Sequence, residues 1–309
     1  MTSLTLLTLL TFLAGPDTGS PNVWLCPPGG KLERAGRDGD SIQKYDALRG
    51  SGTCVFRGRQ IAFQDGAGLP CVVGSGGVVR TDASAPHVVG WREAEPLIWD
   101  GTMIKTLAGI NLAAQPRTGD TPVFADFFGD AGTLVTRTAS GSIRFGVTGS
   151  PPLFADFGEW TLVAARMVNA TSGLFVLQGM GWAVVRVAHG RAEIVASQRE
   201  DRLDVLLASD GRAYIVHHTE TETDLPRPAT DLAELNQTGA PEPFCRLRGD
   251  VDVIDVDRAL KVAYLVAKSG KSSLYSKVSY GSFDDPVALK EVAWVLPAWG
   301  GGGFDATRP

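Results

Sequence analysis

Residues 134–147 read LVTRTASGSIRFGV, two apolar runs either side of a Ser-Gly pair. β-Branched and aromatic residues favour the extended chain, and glycine supplies the backbone freedom a tight reversal needs. The stretch predicts two antiparallel strands joined at Gly141. The same phrasing returns at 162–178 (LVAARMVNATSGLFVLQ, turn at Gly173), at 206–218 (LLASDGRAYIVHH, turn at Gly211) and at 265–278 (LVAKSGKSSLYSKV, turn at Gly270). An earlier stretch, CVVGSGGVVR at 71–80, is a further hairpin signal.

The turn glycines from Gly141 onward are 32, 38 and 59 residues apart. The long gap reads as an insertion over 219–243. It holds the one helix expected in the chain, 231–236, with Thr230 as its N-cap. The phrase PVFADF at 122–127 recurs as PLFADF at 152–157, which is a weak internal repeat. Several strands lack polar alternation: WAVVRVA (182–188), LDVLLA (203–208) and KVAYLVA (261–267) are nearly continuous apolar runs. Such runs predict sheets covered on both faces, as stacked blades provide.

Over residues 121–296 these hairpin units resemble the blades of β-propellers. The resemblance rests on spacing and turn placement, without a WD, kelch or strict Asp-box signature. It implies an all-β, propeller-like array of hairpin or meander blades with one short helical insertion. A β-sandwich fibre domain is the alternative. Residues 1–120 read as a mounting segment with opening hairpins, and 297–309 as a glycine-rich tail.

The chain has 309 residues, 44% of them apolar, enough for a sizeable core. Its 29 basic and 34 acidic residues are mixed, giving a net charge of -5. No basic stripe forms, so a nucleic-acid partner is not expected. The 37 glycines and 18 prolines are spread along the chain, as many tight turns require. Cys26, Cys54, Cys71 and Cys245 form no C-x-x-C pair, which argues against a structural zinc site. They are expected as buried thiols, with one or two disulfides left open.

Residues that carry chemistry elsewhere do not assemble here into a catalytic set. Gly300–Gly303 lack the Lys-Ser/Thr that closes a phosphate loop. Asp250, Asp252, Asp255 and Asp257 would divide between two faces of a strand and so make a poor calcium cage. His217 and His218 point to opposite faces and cannot easily share a metal. His87 and His189 are isolated. No G-x-S-x-G, H-E-x-x-H or G-x-G-x-x-G motif occurs. Asp126 and Asp156, each within FADF, read as recurring structural acids. The Arg248-Gly249-Asp250 tripeptide is a chance match, and the acceptor triplets at Asn169 and Asn236 bear only on a secretory route. No catalytic residue, metal or cofactor is therefore expected, although a propeller glycosidase needs only two well-placed carboxylates. Trp91, Trp99, Trp294 and Trp299 lie near acidic or loop segments and are the candidate ligand-facing aromatics.

Residues 1–13 (MTSLTLLTLLTFL) are too short to span a bilayer, lack a basic residue ahead of the apolar run, and are followed by no A-x-A-like site. They read as a packed segment, with Leu4, Leu7, Leu10 and Phe12 as a candidate assembly interface. An acidic, hairpin-rich, weakly repetitive chain of this kind resembles accessory proteins of phage tails and fibres. That resemblance implies a structural component of a virion tail, baseplate or fibre, present in symmetric copies and touching other subunits. A host-surface glycan or receptor is a further partner it implies. The alternative is a secreted bacterial propeller that binds or hydrolyses carbohydrate.

Overall fold

The computed structural model describes residues 22–304, apart from 48–53, 58, 66, 75–76, 81–86, 149–152, 156–159, 199–202, 210, 220–227, 237, 270–271 and 299–300. Every regular element among them is a strand. β1 (Asn22–Cys26), β2 (Glu33–Gly36) and β3 (Ser41–Lys44) are followed by the meander β4 (Cys54–Arg57), β5 (Gln60–Gln64), β6 (Pro70–Gly74) and β7 (Gly77–Arg80). A three-stranded unit comes next: β8 (His87–Arg92), β9 (Glu95–Trp99) and β10 (Ile104–Thr106). Then come β11 (Thr121–Phe128), β12 (Ala131–Arg137), β13 (Ile143–Val147) and β14 (Leu153–Ala155). The fifth unit is β15 (Thr161–Asn169), β16 (Ser172–Gln178), β17 (Trp182–Ala188) and β18 (Arg191–Gln198). The sixth is β19 (Leu203–Leu207), β20 (Ala213–Thr219), β21 (Ala229–Leu235) and β22 (Pro241–Arg248). The seventh is β23 (Val251–Asp257), β24 (Val262–Ser269), β25 (Ser272–Ser279) and β26 (Val287–Val292), after which β27 (Trp294–Ala298) and β28 (Gly301–Phe304) complete the chain's strands.

Strand β27 pairs with β1 and completes the first unit in the order β27-β1-β2-β3. Six four-stranded units form the blades of a ring, and the three-stranded β8–β10 joins the β11–β14 blade through the parallel β8–β11 pair. An apolar cluster fills each junction between neighbours. Trp24, Phe56 and Leu296 join units one and two, and Trp91 packs with Val55 and Phe124 across units two to four. Leu97 meets Phe127 between units three and four, and Phe145 meets Phe175 between four and five. Val184 packs with Ile215 between five and six, and Leu232 with Leu265 between six and seven. Val23 and Tyr275 close the circle. Each such fully buried side chain contributes about 1.5–3 kcal/mol by leaving water. The chain is thus a β-propeller, with units on both sides of residue 120, and the continuous apolar runs are strands covered on both faces.

The expected helix at 231–236 is absent. The residues form β21, the third strand of the sixth unit. Thr230 is no N-cap: its Oγ1 donates to the Gly249 carbonyl at 2.8 Å and accepts from the Val251 N–H at 3.1 Å. Asp231 accepts two bonds from Arg246 on the neighbouring strand, at 2.6 and 2.7 Å. These cross-strand partners outweigh a local helix preference of a few tenths of a kcal/mol per residue. Within the 219–243 stretch, residues 229–235 form β21 and residues 241–243 open β22.

Strand β28 leaves the ring's circumference. It pairs antiparallel with β4 on one side, Gly302 opposite Phe56, and with β15 on the other, Gly302 opposite Arg166. Both partners are the innermost strands of their units, and those units are not neighbours around the ring. A nine-stranded sheet, β18-β17-β16-β15-β28-β4-β5-β6-β7, consequently runs across the centre. Residues 301–304, within the stretch read as a tail, are its middle strand.

Candidate binding face and axial slot

Inner strands share a direction wherever the sheets join them. β8 and β11 pair in parallel, and β4 and β15 both run antiparallel to β28. The turn after each first strand therefore opens on the same face of the ring. Three of these turns carry large apolar side chains in water: Phe128 at 69% exposure, Val168 at 74% and Leu260 at 66%. Phe283 and Val287 add to the same face beyond Leu260. Sequence reading missed these residues. The available signal was a large apolar residue set directly against a turn, as in Phe128-Gly129-Asp130.

Ion pairs with a buried carboxylate lie beside two of these turns, those of Phe128 and Leu260. Arg57, at the end of β4, donates to Asp126 Oδ1 at 2.5 Å and also to the carbonyl oxygen of Glu93. Glu93 adopts a positive φ of 54° in the β8–β9 turn, and its backbone N–H donates to the Phe127 carbonyl at 2.8 Å. Its carboxylate accepts from the Gly129 N–H at 3.1 Å, fixing the turn beside Phe128. Asp126 is fully buried and its Oδ2 has no partner. Burial pushes its carboxyl up to about 7, with Arg57 opposing the shift.

A second network lies on the other side of β28. Arg37 donates to Ser209 Oγ at 2.9 Å and to Asp255 Oδ2 at 3.0 Å, and pairs with Asp257 as well. The Ser209 N–H and hydroxyl both donate to Asp255, at 2.8 and 3.0 Å. Burial raises the Asp255 carboxyl to about 6 against these partners. Arg37 comes from the first unit, Ser209 from the sixth and Asp255 from the seventh, so the network ties three units together.

Arg166, itself buried, donates to the Leu207 carbonyl at 3.1 Å and lies over the Phe56 ring at 5.4 Å. Phe56 and Arg166 are the two register neighbours of Gly302. Side chains opposite one another on adjacent strands share a face. Because the middle residue is glycine, the guanidinium reaches the ring across it. The axial slot between β4 and β15 thus has a defined requirement at its centre.

The aromatics chosen from sequence fall elsewhere. Trp91 has no exposed surface and packs inside the core, so it offers no ligand platform; its place opposite Asp126 in the parallel β8–β11 register turns it inward. Trp99 and Trp294 are half-buried against apolar clusters. Trp299, Leu4, Leu7, Leu10, Phe12 and Asp156 lie outside the described residues. His217 is exposed while His218 turns to Asp250, Nδ1 to Oδ1 at 2.8 Å, so the two imidazoles diverge. Among the described residues no three His, Cys, Asp or Glu side chains stand together as metal ligands, and no helix is long and apolar enough to cross a membrane. Burial raises the thiols of Cys71 and Cys245, to about 11 and about 12.

The chain matches no family model and no curated protein. Among solved structures it is similar to the β-propeller domain of Cps50 (Swd1) from Myceliophteria thermophila, with a TM-score of 0.47 and 9% identity over 78% of this chain and 88% of that one. It is also similar to YCF48 bound to D1 peptide, with a TM-score of 0.47 and 14% identity over 84% and 94% of the two chains. TolB from Acinetobacter baumannii gives a TM-score of 0.45 and 11% identity over 92% and 67%. These similarities concern the propeller architecture alone.

Proposed function

We propose that the protein is a structural component of a larger assembly, docking a protein partner on the face that carries Phe128, Val168 and Leu260. The observation that carries the reading is the gathering of these exposed apolar side chains on three turns at one end of the ring. Water-facing apolar residues grouped on one surface favour association, because burial at an interface removes their cost. The networks around Asp126 and Asp255 support it, since a pre-ordered surface loses little entropy on docking. A phage tail, baseplate or fibre is the assembly proposed, and the virion its location. That narrower step rests on the acidic, hairpin-rich character of the sequence.

The test replaces Val168 and Leu260 together by Asp. Both side chains are exposed, so the variant folds with a melting temperature near that of the parent. In the proposed setting the parent co-sediments with intact particles, its 128–131, 168–171 and 258–261 amides exchanging more slowly than in the isolated protein. The double variant stays at the top of the gradient. Unchanged co-sedimentation of the variant, or a parent that never sediments with particles, overturns the reading.

A further inference from the structure

We infer that the axial slot between β4 and β15 is a strand-acceptor site for an extended, glycine-run peptide, filled here from within the chain by Gly301–Phe304. This goes beyond the docking face, whose Phe128 and Leu260 lie outside β4 and β15. The partner it fits is the corresponding segment of a second copy of this chain.

The occupant is held mainly through its backbone. Four residues of β28 face four of β4 and four of β15, and three of the four are glycine. A glycine run offers the ladder its N–H and C=O groups but almost no side chain to bury, so its hold is the sum of net hydrogen bonds at about 0.5–1.5 kcal/mol each. An edge-on strand held this way is the geometry of β-strand addition, with affinity from the main chain and selectivity from side-chain positions. The selective position is Gly302. Gly302 is the residue in register with both Phe56 and Arg166, whose ring and guanidinium lie 5.4 Å apart, so a side chain at this position competes with that contact. Arg166 has little room to yield, because it is buried and bonded to the Leu207 carbonyl.

Emptying the slot leaves two buried inner strands with unpaired ladder groups, a costly state. The slot therefore takes whichever matching strand is at hand. In the intact chain the tethered segment wins, because a short connection gives it an effective concentration on the order of millimolar. A neighbouring copy competes only where copies are packed at comparable density.

The experiment places a site-specific protease sequence between Ala298 and Gly301 of the full-length protein, folds it, and cuts it. The nicked protein is incubated with a fluorescent synthetic peptide of residues 300–309, and with the same peptide carrying Val at position 302. The expected result is uptake of the first peptide, read as a rise in anisotropy and a regained melting temperature, with at least tenfold weaker uptake of the second. No uptake by protein that has released its own fragment overturns the inference, and so does equal uptake of both peptides. A full-length Gly302→Val variant gives an independent reading: a melting temperature unchanged from the parent also overturns it. Leu260→Asp, on a turn outside β4 and β15, leaves peptide uptake untouched, so failure of the docking face and failure of the slot are told apart.

Discussion

Asp126 is the residue whose charge state the fold alters most visibly. Its carboxyl is raised by burial to about 7, from an ordinary value of 3.8. A carboxyl raised on folding binds protons more tightly in the native state. Its contribution is fully present below about pH 4 and is lost as pH rises through about 7. The shift caps the effect at about 4 kcal/mol, and Asp255 acts in the same direction over a narrower window. Denaturant melts of the parent are expected to show falling stability from pH 4 to pH 7.5. Asp126→Asn flattens that slope, whatever its effect on absolute stability through Arg57. A slope identical in parent and variant would mean that Asp126 is ionised throughout. The motif FADF pointed to Asp126 as a structural acid, and its burial agrees with that role. Arg57, its partner 69 positions away in sequence, left no local trace.

At the scale of elements, the strands were legible because apolar runs and turn glycines are local signals. Their grouping was not. Gly141 turns the second strand of its unit into the third, whereas Gly211 lies between the first and second strands of another unit. The spacing of turn glycines therefore mixes unequal places. PVFADF lies in β11, and the start of PLFADF falls in β14, the first and last strands of one unit, so that repeat does not mark blades. The parallel pairing of β8 with β11 was equally invisible. It depends on Gly90, where an added Cβ would stand 1.6 Å from the Ala125 carbonyl oxygen. Gly90→Ala is expected to cost more than about 3 kcal/mol, since backbone must part to admit the methyl. Gly146→Ala, whose nearest atom would be 3.5 Å away, should cost about 1 kcal/mol or less. Equal midpoints for the two variants in urea would contradict the close β8–β11 approach.

Across the whole molecule, the ring depends on the joining of distant chain segments. β27 supplies the inner strand of the unit begun by β1, about 270 residues earlier in the chain. Such a closure couples units that would otherwise interact only with their neighbours. Truncation after Ala293 removes β27 and β28 together. It is expected to replace a single sharp thermal transition by a broad one at least 10 °C lower, as calorimetry would show. A sharp, unshifted transition would mean that the ring does not need its closing strand. Strand β28 adds a mechanical consequence. Because it lies along the axis with four residue pairs on each flank, a load drawn beyond Phe304 acts parallel to the strands. Ladder bonds are perpendicular to the strands, so they resist such a load in shear, all at once, and not by unzipping in turn. Cargo hung from that end would be anchored at the hub of the wheel, with the pull shared between two separate spokes.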